Sequence, residues 1–112
     1  DPELSRGLGD VYKRQGLSDG IDISAASGAT VRAVADGRVI AITQDTEQRY
    51  VLILRHSGNL LTIYANISNI SVQKDEIIKA GQKIAKVSSG KPSFLHFEVR
   101  EGMEAVDPSK YF

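Results

Sequence analysis

Val51-Leu52-Ile53-Leu54-Arg55-His56-Ser57-Gly58-Asn59-Leu60-Leu61-Thr62-Ile63-Tyr64 is the stretch on which the fold turns. Two runs of aliphatic and β-branched residues, 51–55 and 60–64, flank a four-residue polar segment that contains Gly and Asn. Such runs fit a pleated, half-buried surface, and the segment between them suits a hairpin turn. The reading is two antiparallel strands joined at His56-Ser57-Gly58-Asn59.

The same grammar extends outward. Ile21 and Ile23 flank Asp22 in apolar–polar alternation, and Gly28 and Gly37 punctuate strands centred on 31–34 and 38–42. The polar run 43–49 reads as an exposed loop. Residues 72–78 lead into the turn Lys79-Ala80-Gly81-Gln82 and a strand at 84–87. A loop at 88–93 precedes a strand at 95–100, and 101–104 turn the chain back. No window of 11 or more residues carries a helical period, and strands recur about every ten residues, so an all-β sandwich or barrel is expected. ATVRAVADG (29–37) and EIIKAGQKIAKV (76–87) echo each other, which suggests a duplicated β-motif.

The chain has 112 residues, 41% hydrophobic and 25% charged, which suits one globular domain. Lys+Arg and Asp+Glu are 14 each, a balance that argues against a broad electrostatic grip on nucleic acid. No apolar run approaches the roughly 20 residues of a membrane span. There is no cysteine, so thiolate metal sites and disulfides are excluded. Residues 10–15, DVYKRQ, have the look of a translated transposon end, and 1–15 are read as a vector-derived tag preceding a domain at 16–112. A native polar lead-in strand is the alternative.

Phe94-Leu95-His96-Phe97-Glu98 carries the chemistry. Residues two apart on a strand point the same way, so Phe94, His96 and Glu98 share one face, and Leu95, Phe97 and Val99 the other. A lone imidazole sits where a pair would make a metal site. Ser18-Asp19-Gly20-Ile21-Asp22 offers a carboxylate to match it. Plain readings stand beside this one: His96 as a satisfied half-buried histidine, Asp22 as a turn cap, Phe94 as packing, Arg100 as a solvated charge. His56 is read as structural, and Gly20, Gly37 and Gly81 as turn or close-packing glycines.

Taken together, Gly20-Ile21-Asp22-Ile23, Ala33-Val34-Ala35-Asp36-Gly37-Arg38-Val39, Tyr64-Ala65, Lys79-Ala80-Gly81-Gln82-Lys83-Ile84-Ala85, Leu95-His96-Phe97-Glu98-Val99-Arg100 and the ending Val106-Asp107-Pro108…Tyr111-Phe112 resemble the lysostaphin-type (LytM) zinc metallopeptidase domain. The resemblance runs from about Gly16 to Phe112. It implies a two-sheet antiparallel β-sandwich with a groove across one sheet. In active members zinc is held by a His, an Asp four residues later, and the second His of a His-x-His pair; two further His serve catalysis. Mapped onto this chain, Ser18 stands at the first ligand position, Asp22 and His96 at the other two, and Phe94 and Asn66 at the two catalytic His positions.

A catalytic zinc normally has three protein ligands and an open position for water. A neutral serine hydroxyl is a poor substitute for imidazole, and general acid–base help worth about 10²–10⁴-fold is missing without the two catalytic His. The expectation is therefore a non-catalytic domain with weak or absent zinc binding and no cofactor, Asp22 and His96 being relic ligands. The resemblance to family members with this loss implies an activator of a peptidoglycan amidase in the periplasm or cell envelope. Its partner would be an N-acetylmuramoyl-L-alanine amidase or a regulatory helix, received in a groove lined by Ser18, Asp19, Asp22, Tyr64, Asn66, Phe94, His96 and Arg100. Three other readings remain open. One is a residual zinc endopeptidase with a third ligand from His56 or a Glu. Another is a peptidoglycan-binding module. The last is a lipoyl-type carrier, for which Lys74-Asp75 stands in the wrong order.

Overall fold

The computed structural model describes residues 20–102 and 104–105; the proposed tag at 1–15, the ending at 106–112, and Ser18 and Asp19 lie outside them. The described chain forms β1 (Ile21–Ser24), β2 (Thr30–Arg32), β3 (Gly37–Gln44), β4 (Tyr50–Arg55), one 3-10 turn (Ser57–Asn59), β5 (Leu60–Ser68), β6 (Ile77–Ile78), β7 (Lys83–Val87), β8 (Phe94–Glu101) and β9 (Glu104–Ala105). Every ladder is antiparallel, as the all-β reading requires.

The hairpin read from residues 51–64 is β4–β5. Gly58 and Asn59 take left-handed φ values of 74° and 63°, a region glycine enters freely and asparagine tolerates. The His56 amide donates to the Leu60 carbonyl at 2.8 Å and closes the turn. Both flanking strands run further than the alternation suggested: β5 continues to Ser68 and β3 to Gln44, leaving the loop to 45–49.

The strands do not separate into the two sheets expected. They form one continuous nine-stranded network with the path β1-β8-β5-β4-β3-β6. The physical reason lies at Asn66. Tyr50 pairs with Ile67 but Val51 with Ala65, so Asn66 is one residue too many on β5. It adopts φ +61°, the bulge conformation, and bends the strand. On one side of the bulge the free edge of β5 pairs with β8, from Leu60 to Ala65. Beyond it the same edge pairs with β7, through Ile67 and Ser68. One strand thus carries the ladder around a corner, where two sheets would each need their own edge.

The echo between 29–37 and 76–87 has a structural counterpart. The first strand of each segment pairs with the strand that follows the other: β2 with β7, and β6 with β3. The turns between them interlock. Gly81 N–H donates to Ala33 O at 2.8 Å, Ala33 N–H to Gln82 O at 2.9 Å, and Ala80 N–H to the Asp36 carboxylate at 2.7 Å.

The core takes alternate residues of the long strands. Leu52 and Leu54 of β4, Thr62, Tyr64 and Ile67 of β5, and Leu95, Phe97 and Val99 of β8 are all buried. Each large apolar side chain contributes about 1.5–3 kcal/mol on burial. Tyr64 and Phe97 meet edge-to-face with centroids 5.3 Å apart. Beside them runs a polar chain: His56 Nδ1 lies 2.6 Å from Asp36 O, His56 Nε2 lies 2.7 Å from Thr62 Oγ1, and Thr62 Oγ1 lies 3.1 Å from the Tyr64 hydroxyl. Val34 N–H also donates to that hydroxyl, at 3.2 Å. Burial pushes the Tyr64 phenol up to about 12, against the smaller opposing effects of its bonds to Thr62 and Val34. His56 is structural, as its sequence context indicated.

Candidate functional site

Alternation that buries one side of β4, β5 and β8 necessarily turns the other residues outward. The registers arrange them in rows, because residues directly opposite each other project from the same side. One row reads Thr43, Val51, Ala65, His96, Asp22, and the next reads Ala41, Ile53, Ile63, Glu98. The apolar members Val51, Ile53, Ile63 and Ala65 are half-buried by their neighbours, yet none packs against the core cluster. They form the apolar floor of a separate face. Phe94, opposite Ser24, closes one end of it.

His96 sits at the side of this floor, between two carboxylates. Its Nδ1 lies 2.6 Å from Asp22 Oδ1 and its Nε2 lies 2.9 Å from Glu98 Oε2. The cross-strand pairing of Asp22 with His96 and the i, i+2 relation of Glu98 to His96 produce this geometry directly. Glu98 is held in turn by Arg100, whose Nε and terminal nitrogen donate to Oε1 at 3.1 and 2.6 Å. Burial alone lowers the His96 pKa, but the hydrogen bonds and charges of Asp22 and Glu98 outweigh it and hold it above the ordinary 6.5. A ring that faces an acceptor at each nitrogen is best served by carrying both protons. The chain Asp22–His96–Glu98–Arg100 alternates in sign along its length. Gly20 completes it by what it lacks: a Cβ there would stand 2.5 Å from Glu98 Cγ and from Phe97 O.

Asp22 Oδ1 and His96 Nδ1, at the two ligand positions that the resemblance implies, face each other at 2.6 Å. Both imidazole nitrogens face carboxylates on opposite sides of the ring, so Asp22, His96 and Glu98 cannot converge on one point. Among the described residues no group of three or more His, Cys, Asp or Glu could hold a metal ion. The first ligand position, Ser18, lies outside the described residues. His56 fails as a third ligand, because it is buried with Thr62 and Tyr64 on the core side.

Of the groove residues expected from the sequence, Asp22, Phe94, His96 and Arg100 share the outward face. Tyr64 does not belong to that lining: it is 0% exposed and points into the core, one step out of phase with Ile63 and Ala65. Asn66, at the bulge, has its side chain engaged in holding the fork. Its Nδ2 donates to Phe94 O at 2.7 Å and its Oδ1 accepts from Arg49 at 3.0 Å. Ser18 and Asp19 lie outside the described residues. Glu98 was not among the expected site residues, although its position two residues from His96 signalled it. The apolar rows were hidden, because they need the register of four strands.

A fully antiparallel domain that wraps a duplicated motif and sets an Asp–His pair on one sheet face defines the lysostaphin-type class. The chain belongs to it: residues 16–108 match Peptidase family M23. The chain is 39% identical over 100 residues to outer membrane antigenic lipoprotein B of Haemophilus influenzae, covering 86% of this chain and 24% of that protein. It is 36% identical over 101 residues to the murein hydrolase activator NlpD of Escherichia coli, covering 87% of this chain and 26% of that protein. A zinc-containing peptidase from Vibrio cholerae superposes with a TM-score of 0.73 at 31% identity, over 83% of this chain and 30% of that one. The chain therefore spans about a quarter of the length of these curated relatives.

Proposed function

We propose that this domain is a non-catalytic activator that docks a peptidoglycan amidase in the bacterial envelope and promotes cell-wall cleavage by it. The observation that carries the reading is the outward sheet face. Its one imidazole is engaged by carboxylates at both nitrogens, and the ground beside it is an apolar floor. That arrangement is suited to contact with a partner and unsuited to activating a water. An apolar floor with a charged rim accepts an amphipathic helix by a few spaced anchors. Similarity to a murein hydrolase activator supports the choice of partner, and similarity to an outer membrane lipoprotein supports the envelope location. Zinc plays no part in this reading.

The test is release of dye from labelled sacculi by purified N-acetylmuramoyl-L-alanine amidases of a Gram-negative bacterium. The domain alone should release nothing and should accelerate the amidase several-fold. Phe94→Ala should weaken the acceleration while keeping the melting temperature within a few degrees. Amidase rates that do not change on adding the domain would defeat the reading. The competing reading, a zinc endopeptidase, draws on the similarity to a zinc-containing peptidase. Stoichiometric zinc in the purified protein, together with sacculus cleavage by the domain alone, would establish it instead.

A further inference from the structure

A third row crosses the outward face. It reads Ile77, Arg38, Arg55, Leu61, Arg100, one residue from each of β6, β3, β4, β5 and β8. Arg38 and Arg55 are directly opposite each other. Like charges in that position destabilise a ladder. Both are exposed, and neither makes an ion pair or side-chain hydrogen bond with a described residue. Arg100, by contrast, is neutralised by Glu98. Ile77, next to Arg38, is 57% exposed and is the exposed large hydrophobic residue of the described chain. An exposed cation pair flanked on each side by an apolar residue is thus laid out across the strands, beside the apolar floor.

The spacing says what fits. Neighbouring strands lie about 4.8 Å apart, and an α-helix advances about 5.4 Å per turn. A helix lying across the strands therefore presents roughly one residue per turn to each strand. We propose that the occupant of this face is an amphipathic helix with two carboxylates one turn apart, seated on Arg38 and Arg55, and an apolar residue one turn to either side, meeting Ile77 and Leu61. This rests on the activator reading for its biological setting, and it adds the chemistry by which the partner is recognised. The bidentate geometry of guanidinium toward carboxylate favours Glu or Asp at those two positions. The like-charge pair is then a feature that the partner relieves.

The test uses two synthetic helical peptides with the same apolar face, one with Glu and one with Lys at the paired positions. Binding to the 112-residue chain is followed by fluorescence anisotropy at low salt. The Glu peptide should bind about tenfold tighter or more than the Lys peptide, and less tightly as salt rises. Arg38→Glu with Arg55→Glu should invert the preference, and Arg38→Gln with Arg55→Gln should erase it. Circular dichroism and melting should show both doubles folded, because both positions are exposed; the Gln double alone also removes the like-charge repulsion. Equal binding of the two peptides, or binding of neither, overturns the proposal. So does loss of retention on purified sacculi in the Glu double without any peptide preference, which would make peptidoglycan carboxylates the ligand. The amidase assay stays separate: a Glu-peptide preference without amidase acceleration keeps the helix site and removes the activator reading.

Discussion

The two histidines of this chain lie on opposite faces of one sheet, and their surroundings differ in kind. His56 is buried between a main-chain carbonyl and a threonine hydroxyl. His96 is half-exposed between two carboxylates, one of them tied to an arginine. One imidazole belongs to a hydrogen-bond network that fixes core packing; the other belongs to a charged chain at the edge of the apolar floor. The sheet's two-residue period makes the difference. Thr62 and Tyr64, which extend the His56 network, alternate along β5 with Ile63 and Ala65, which border His96 and Glu98. The core face carries packed side chains and satisfied polar groups, whereas the outer face carries the His96 chain and the half-buried apolar rows.

The contrast is broken most severely from the core side. Phe97→Ala should cost about 3–5 kcal/mol, because a fully buried ring in edge contact with Tyr64 leaves a cavity. In a domain of this size that lowers the melting temperature by more than 10 °C or so; a shift of a degree or two would mean that the face is not packed as described. Next in size is His56→Ala. It leaves the Asp36 carbonyl and the Thr62 hydroxyl without their imidazole partners, and about 1–3 kcal/mol should be lost in denaturant unfolding.

His96 should give the smallest and the most pH-dependent effect. Its folded pKa is raised above 6.5, so the protonated ring favours the folded state. That contribution is fully present below the unfolded value and is lost as the pH rises through the folded one. The melting-temperature gap between wild type and His96→Gln should therefore be widest near pH ~5.5 and shrink by pH ~8.5. A gap that is flat, or that widens with pH, would show that Asp22 and Glu98 do not hold the ring protonated.

Much of this was legible in the chain. The hairpin at 51–64 followed from two aliphatic runs around Gly58-Asn59, and β8 from the alternation of Phe94, His96 and Glu98 against Leu95, Phe97 and Val99. The facing of Asp22 and His96 came through the resemblance to the lysostaphin-type family. Tyr64 was misplaced because a motif gives the order of residues but not their phase on a strand. Tyr64 falls on the inward phase, and Asn66 is the bulged residue at which the phase resets. The same bulge merged the expected pair of sheets into one, since only at Asn66 does the β5 edge change partners.

By itself the sequence determined the strand-forming segments, the turns and the residue types available for chemistry, because those depend on local alternation and on the φ freedom of Gly and Asn. Tertiary structure decided which of those residues meet. Asp22 reaches His96 across 74 positions, Glu98 takes the second imidazole nitrogen, and Arg38 comes to lie against Arg55. Each of these depends on strand register. Register is set by burial of the apolar face of the whole sheet, which no single segment contains.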